Sequence, residues 1–374
     1  MGLDVYDDIE RCMSGGWSDG LPVIPPYGSL VDDMLAAMGW DYTEVVGSLP
    51  EQSIEVHASH VAAAAVMAGC RFEYGPLLRA LTLALLDPVF NLTGVEVTTG
   101  GASATVIVSG PAVDRYGFAH QANCLGANNR ANATVGRFAQ MVRYFCGRGG
   151  GSLESHGTMG HPGRLGFCVA EHPETVWAPF HTQFGLPAAA PAVTVVSTEG
   201  PQSVNNHYAE TGEAVLETIA GTLANEGTTN FYWHTGGYLI VIGPEHMDLI
   251  AREFSREQAR QFLYDHAVKP TDELARLGRI PRSPRRGSKV VPGADRSPVA
   301  SPDDLHFIES GGAGGKFSAV IPRWVGSRAY VCQPVISQSE QGRPAPAPTK
   351  PPGGYPWKYP VPRCAPARSP AAAT

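Results

Sequence analysis

The sequence predicts an α/β fold: a mixed or mostly parallel sheet covered by helices and built from repeated strand–helix units. Three observations predict it. First, β-rich runs at 104–111 (ATVIVSGP), 191–197 (PAVTVVS), 238–244 (YLIVIGP) and 305–310 (LHFIES) are bounded by Gly or Pro. Second, segments of helical pattern follow at 132–146, 212–224 and 245–267. Third, hydrophobic residues make up 43% of the 374 residues and charged residues only 17%, enough apolar material for a substantial core. Strands alternating with helices imply a sheet covered on both faces. Several strands end in GP or GG, which puts turns at the carboxyl ends where α/β proteins hold ligands.

The elements follow in order. Residues 1–16 read as a helix stopped by Gly15 and Gly16. Asp19-Gly20 is a turn signal, and Pro22, Pro25 and Pro26 force extended backbone, a lid or strap. Ser29 is the expected cap of a helix over 30–38, with Asp32 and Asp33 in its first turn. Residues 53–69 read as an Ala-rich helix capped by Ser53 and broken by Gly69, with His57 and His60 on one face. A second helix over 75–86, ended by Asp87-Pro88, completes an N-terminal αα-hairpin. Residues 95–101 (VEVTTGG) read as a strand, and 268–300 as a long surface loop. The Pro-rich tail at 338–374 cannot build a core and is expected to be disordered. Three regions result: strap and hairpin (1–94), a site-bearing α/β region forming one compact unit with it (95–337), and the tail.

Composition excludes several roles. A net charge of −7 with no long basic patch argues against nucleic acid. No run approaches the ~20 apolar residues of a membrane span. The acidic start MGLDVYDDIERC lacks the parts of a secretory signal, so a cytoplasmic location is expected. Seven irregularly spaced cysteines without a CxxC pair fit reduced thiols. Tyr355, Trp357 and Tyr359 could pin the tail to a surface, including that of a second copy in a homo-oligomer.

The stretch 118–181 concentrates the chemistry, with five of the twelve histidines and three of the seven cysteines. Its Gly126–Arg137 segment is a Gly/Asn turn running into a helix. Asn128, Asn129 and Asn132 add donors there, and Arg130 and Arg137 a guanidinium fork, so it reads as a seat for a carboxylate or phosphate. A capped helix with turn asparagines is the competing reading. His156 and His161 stand in a Gly-rich loop as acid/base groups or metal ligands, with His172 as a further ligand candidate. Cys168 is a candidate thiol, and Glu171 a catalytic carboxylate or ligand. Gly311–Ser318 (GGAGGKFS) follows a β-run. Gly312 and Gly315 allow close backbone approach to a ligand, and Lys316 adds a point charge.

The blocks WSDGLPVIPP, AVMAGCRFEY, NRANATVGR, GTMGHPGRLGFCVAE and SGGAGGKFSAVIP resemble a bacterial family associated with a small module carrying a selenocysteine/cysteine-Gly-Ser-Cys (UGSC) motif. The resemblance spans roughly 17–334. It implies thiol or selenol redox chemistry carried by a partner module, since no CGSC occurs here. Phe72 stands where the family often has Pro, and the tail lies outside the pattern.

The expectation is an enzyme acting on a small anionic metabolite by thiol-linked oxidoreduction or reductive bond cleavage, working with a partner. The alternatives are a metal-dependent lyase or hydrolase with His/Glu ligands, and a non-catalytic substrate-binding subunit of a redox complex. No cofactor is named by the sequence beyond a candidate metal ion.

Overall fold

The computed structural model describes residues 5–49, 54–126, 129–146, 156–233, 236–281, 293–327 and 329–337. Helices α1 (Val5–Ser14) and α2 (Gly28–Met38) lead to a small antiparallel pair, β1 (Val45–Leu49) and β2 (Ile54–His57). Next come α3 (Ala58–Ala68), α4 (Gly75–Leu86), α5 (Leu92–Val97), β3 (Ser103–Ser109), α6 (Ala112–Tyr116) and α7 (Arg130–Cys146). They are followed by β4 (Cys168–Ala170), β5 (Ala192–Thr198), β6 (Gln202–Asn205), α8 (Gly212–Leu223), α9 (Thr229–Trp233), β7 (Gly237–Ile242) and α10 (Pro244–Glu253). The chain ends through α11 (Arg256–His266), β8 (Lys269–Pro270), α12 (Thr271–Arg276), β9 (Asp295–Arg296), β10 (Leu305–Glu309), β11 (Phe317–Arg323) and β12 (Val331–Pro334).

The main sheet is mixed, in the order β10-β7-β11-β5-β3-β4, with β6 beside β11 and β12 beside β5. β3 and β4 are parallel, as are β7 and β10. The other pairings are antiparallel. The sheet has two halves with the same wiring. In each, a strand is joined through helices to a parallel outer neighbour. The chain then returns on the inner side of the first strand and ends in a short strand that crosses to the other half. The halves meet where Arg323 of β11 opposes Thr198 of β5. The repeated strand–helix pattern in the sequence is this duplication.

Alternation along the strands sorts the core. Val106, Val108, Cys168, Val193 and Val195 face a cluster shared with α2, α3, α4 and α7. Tyr238, Ile240, Ile242, Phe307 and Val320 face a second cluster with α8, α10 and α11. The opposite face carries Ile107, Val169, Val196, Leu239, Val241, Ile308, Ala319 and Ile321 in one cluster. That cluster draws on all six main strands, including both edges, so this face is concave. The edges meet at their carboxyl ends: His172 N donates to Glu309 O over 2.8 Å, and Ser310 Oγ to Ala170 O over 2.8 Å. Each fully buried Val, Leu, Ile or Phe side chain contributes about 1.5–3 kcal/mol relative to exposure.

Local signals set most boundaries. Gly39 and Gly69 end α2 and α3 in the left-handed conformation. Thr211 caps α8, and Ser255 with Gln258 forms a capping box on α11. Three expectations are corrected. The helix expected from Ser53 starts at Ala58, because residues 54–57 pair as β2 with β1. The strand expected at 95–101 is not one: 95–97 form the last turn of α5 and 98–101 are irregular, and Asn91 caps α5 by accepting Gly94 N and anchors it by donating to Gly326 O over 2.8 Å. The loop expected at 268–300 contains β8, α12 and β9. The tail at 338–374 lies outside the described residues. Among the described residues, no helix is long and apolar enough to cross a membrane.

Candidate active site

The start of α7 is a capped helix. Asn129 Oδ1 accepts Ala131 N at 2.7 Å and Asn132 N at 3.3 Å, using the donors an anion would need. Asn132, 4% exposed, accepts Ala119 N and donates to Ala119 O, clamping the 118–126 loop. Arg130 donates twice to Gly69 O. Arg137 is held by both Asp19 oxygens at 2.7 and 2.9 Å and reaches Pro22 O and Leu21 O. The expected anion seat is therefore corrected: these side chains fasten the strap, the 118–126 loop and the end of α3 to the helix. Asn128 lies outside the described residues.

A cavity of ≈ 600 Å³ opens where the concave face meets the glycine loop after β10. Cys124, Ser203, Ser310, Gly312, Gly315 and Ser318 are among its lining residues. The 118–126 loop forms one wall and is tied to the glycine loop, because Gly311 N and Ser310 Oγ both donate to His120 O. Gly312 must be glycine here: a Cβ would lie 2.7 Å from Ala122 Cα. Gly314 N donates to the Glu245 carboxylate at the start of α10. The N–H groups of Gly312, Ala313 and Gly315 have no acceptor among the described residues. Lys316, left-handed at φ 46, sits between two lining residues, and its ammonium donates to His207 O at 2.9 Å. Cys124 is buried; burial pushes its thiol up, and hydrogen bonds from Ser310 and nearby backbone pull it partly back.

Three serine–histidine pairs occur among the described residues. Ser103 Oγ lies 3.0 Å from His161 Nε2, Ser109 Oγ 3.0 Å from His181 Nδ1, and Ser318 Oγ 2.8 Å from His246 Nδ1. His161, an expected site residue, stands at the amino end of β3. It is not among the cavity's lining residues; its side chain lies beside Gly200, which precedes the lining residue Pro201. Sequence reasoning missed His246: it lies on α10 after a plain GP turn, with no motif around it. Its partner Ser318 closes the GGAGGKFS block.

The remaining candidates are dispersed. His156 is exposed. Cys168 belongs to the core, and burial pushes its thiol up, opposite to an activated nucleophile. His172 rests edge-on against His120, ring centres 4.8 Å apart, at the seam of the sheet edges. Glu171 lies at the same seam, 2% exposed, with Oε1 accepting Phe180 N at 2.7 Å and Oε2 unpartnered among the described residues. Burial pushes its carboxyl up to about 8; the Phe180 N–H and Arg256 pull it down, and Glu309 raises it. No group of three or more His, Cys, Asp or Glu among the described residues is placed to hold a metal, so the candidate ligands His156, His161 and His172 do not meet in such a group there.

The chain matches no family model, no curated protein and no solved structure.

Proposed function

We propose that the chain is an enzyme acting on a small anionic metabolite held in the cavity beneath the glycine loop. The observation that carries this is the set of N–H groups of Gly312, Ala313 and Gly315 without an acceptor among the described residues, at a cavity of ≈ 600 Å³, a volume that suits a small metabolite. Backbone donors on such a concave glycine loop suit a negatively charged oxygen. The Lys316 ammonium is the cation nearest in sequence to them.

The thiol-linked reading takes a specific form. Cys124 is the cysteine among the lining residues, and burial favours its protonated state. A reducing dithiol would then come from a separate protein, as the resemblance to the UGSC-associated family implies.

Calorimetry against a panel of small carboxylates and phosphate monoesters tests the reading. At least one should bind saturably, and binding should fall at least tenfold in Gly312→Val, whose side chain would push the Ala122 wall away. A panel without saturable binding, or binding indifferent to Gly312→Val and Lys316→Gln, overturns it.

A further inference from the structure

A second hollow, of ≈ 410 Å³, opens in the N-terminal half of the chain. It is lined by Ile24, Leu30, Val66, Arg130 and the stretch 70–73. None of these residues lines the cavity beneath the glycine loop. Three sequence blocks meet in it: WSDGLPVIPP supplies Ile24, AVMAGCRFEY supplies Val66 and 70–73, and NRANATVGR supplies Arg130.

The lining has an apolar part and a charged part. In the apolar part, Val66 of α3 is buried, whereas Ile24 and Phe72 keep 44% and 38% exposure, so their side chains are left partly uncovered. Leu30 of α2 completes it. Backbone contacts set these residues in place. Ile24 N donates to Met67 O at 3.4 Å, and Phe72 stands in a 3-10 turn closed by Tyr74 N donating to Arg71 O at 3.1 Å.

In the charged part, Arg71 is exposed, and its guanidinium has no hydrogen bond or ion pair among the described residues. Arg130 uses Nε and Nη2 on Gly69 O, and its Nη1 has no acceptor among the described residues. Burial pushes the Tyr74 phenol up and both arginines pull it partly back, so the two guanidiniums lie within electrostatic reach of one group. Glu73 is the carboxylate of the lining. Cys70 adds no charge: Sγ donates to Thr134 O at 3.3 Å, and burial pushes the thiol up to about 12. Two guanidiniums and one carboxylate leave a single positive charge.

We infer that this hollow is a second binding site, for a monocarboxylate with a compact apolar body such as a short branched-chain or aryl-substituted acid. Arg71 offers a free planar fork that matches a carboxylate. Seating the body against Ile24, Leu30 and Phe72 removes apolar surface from water on both partners. The volume lies within the range of small-molecule pockets. A phosphate monoester brings about −1.5 to −2 charges at pH 7, more than this lining neutralises.

Titration calorimetry on the full chain tests the site, with phenylacetate as the probe. Phenylacetate should bind saturably at millimolar concentrations. Phenylacetamide keeps the body and loses the charge, and acetate keeps the charge and loses the body; each should bind at least tenfold more weakly. Arg71→Gln should lower phenylacetate affinity at least tenfold, and Arg71→Lys should retain part of it. Both variants should keep the natural far-UV spectrum and urea midpoint, because Arg71 has no hydrogen bond or ion pair to lose. Gly312→Val alters the other cavity and should leave phenylacetate affinity within twofold. Absence of saturable binding, equal binding of the amide, or an unchanged affinity in Arg71→Gln each overturn the site. Loss in Gly312→Val with Arg71→Gln unaffected would assign phenylacetate to the glycine loop and overturn it as well. The two cavities share no lining residue, so failure here leaves the reading of the glycine-loop cavity standing.

Discussion

Arg137 grips Asp19 through two parallel hydrogen bonds of 2.9 and 2.7 Å, with side-chain exposures of 15% and 10%. The pair fastens the N-terminal strap to α7, and the same guanidinium also reaches Leu21 O and Pro22 O. Breaking a largely buried ion pair strands the remaining charge. Asp19→Asn should therefore cost about 3 kcal/mol in urea unfolding. Arg137→Lys should cost nearly as much, because an ammonium cannot reproduce the fork. Unchanged midpoints for both would mean that the strap is held by its apolar contacts alone.

Glu171 makes stability depend on pH. Its carboxyl is raised from 4.5 to about 8 in the folded chain, so the native state keeps a proton that the unfolded state loses. The stabilisation is full below pH 4.5 and declines as pH rises toward 8. Each unit of separation corresponds to about 1.4 kcal/mol, so the fall amounts to several kcal/mol. Glu171→Gln, which stays neutral and can still accept the Phe180 N–H, should flatten this part of the profile. It should also be more stable than the natural chain at pH 8. Denaturant midpoints at half-unit intervals read the effect, and parallel curves for the two proteins would refute it.

Thiol labelling distinguishes core sulfur from accessible sulfur. Cys12, Cys70, Cys124 and Cys168 are buried, whereas Cys332 on β12 is half-buried. Burial also pushes the Cys168 thiol up, which removes thiolate at neutral pH. Iodoacetamide at pH 7.5 should modify Cys332 first among these five and leave Cys168 untouched until the chain unfolds. Peptide mapping by mass spectrometry reads the order. Early labelling of Cys168 would restore it as a reactive group.

The parts of the molecule that were legible in the sequence are those governed by local rules. β3, β5, β7 and β10 announced themselves through β-rich runs with Gly or Pro stops. The GGAGGKFS block pointed to a ligand loop, and Gly312 and Gly315 do line the cavity. What stayed hidden depends on long-range partners. Nothing local says that Arg137 will commit its fork to Asp19, 118 residues away. Nothing marks Ser318 for His246, 72 residues away. The blocks NRANATVGR and GHPGRLGFC touch for a reason equally invisible in one dimension. A Cβ on Gly136 would lie 2.8 Å from Phe167 N, and one on Gly166 2.8 Å from Arg137 N, so helix and strand lead-in pack backbone to backbone. The histidine density of 118–181 suggested a single site, yet the fold leaves His156 exposed, sets His161 and His181 against opposite ends of β3, and pairs His120 with His172 at the seam of the sheet edges.

His161 gives the sharpest separation between a structural and a catalytic histidine. Its Nε2 lies 3.0 Å from Ser103 Oγ, and its Nδ1 accepts Gly163 N, tying the 160–164 turn to the first residue of β3. Ser103 is 0% exposed, so removing the ring leaves a buried hydroxyl without this partner. An unsatisfied group of that kind costs about 1–3 kcal/mol. His161→Ala should therefore lower the urea midpoint by a corresponding amount while leaving anion binding in the cavity within twofold of the natural chain. Ser103→Ala on its own should be milder, and the double variant should fall short of the sum, because the two side chains share one interaction. Loss of binding with stability intact would instead return His161 to the working site.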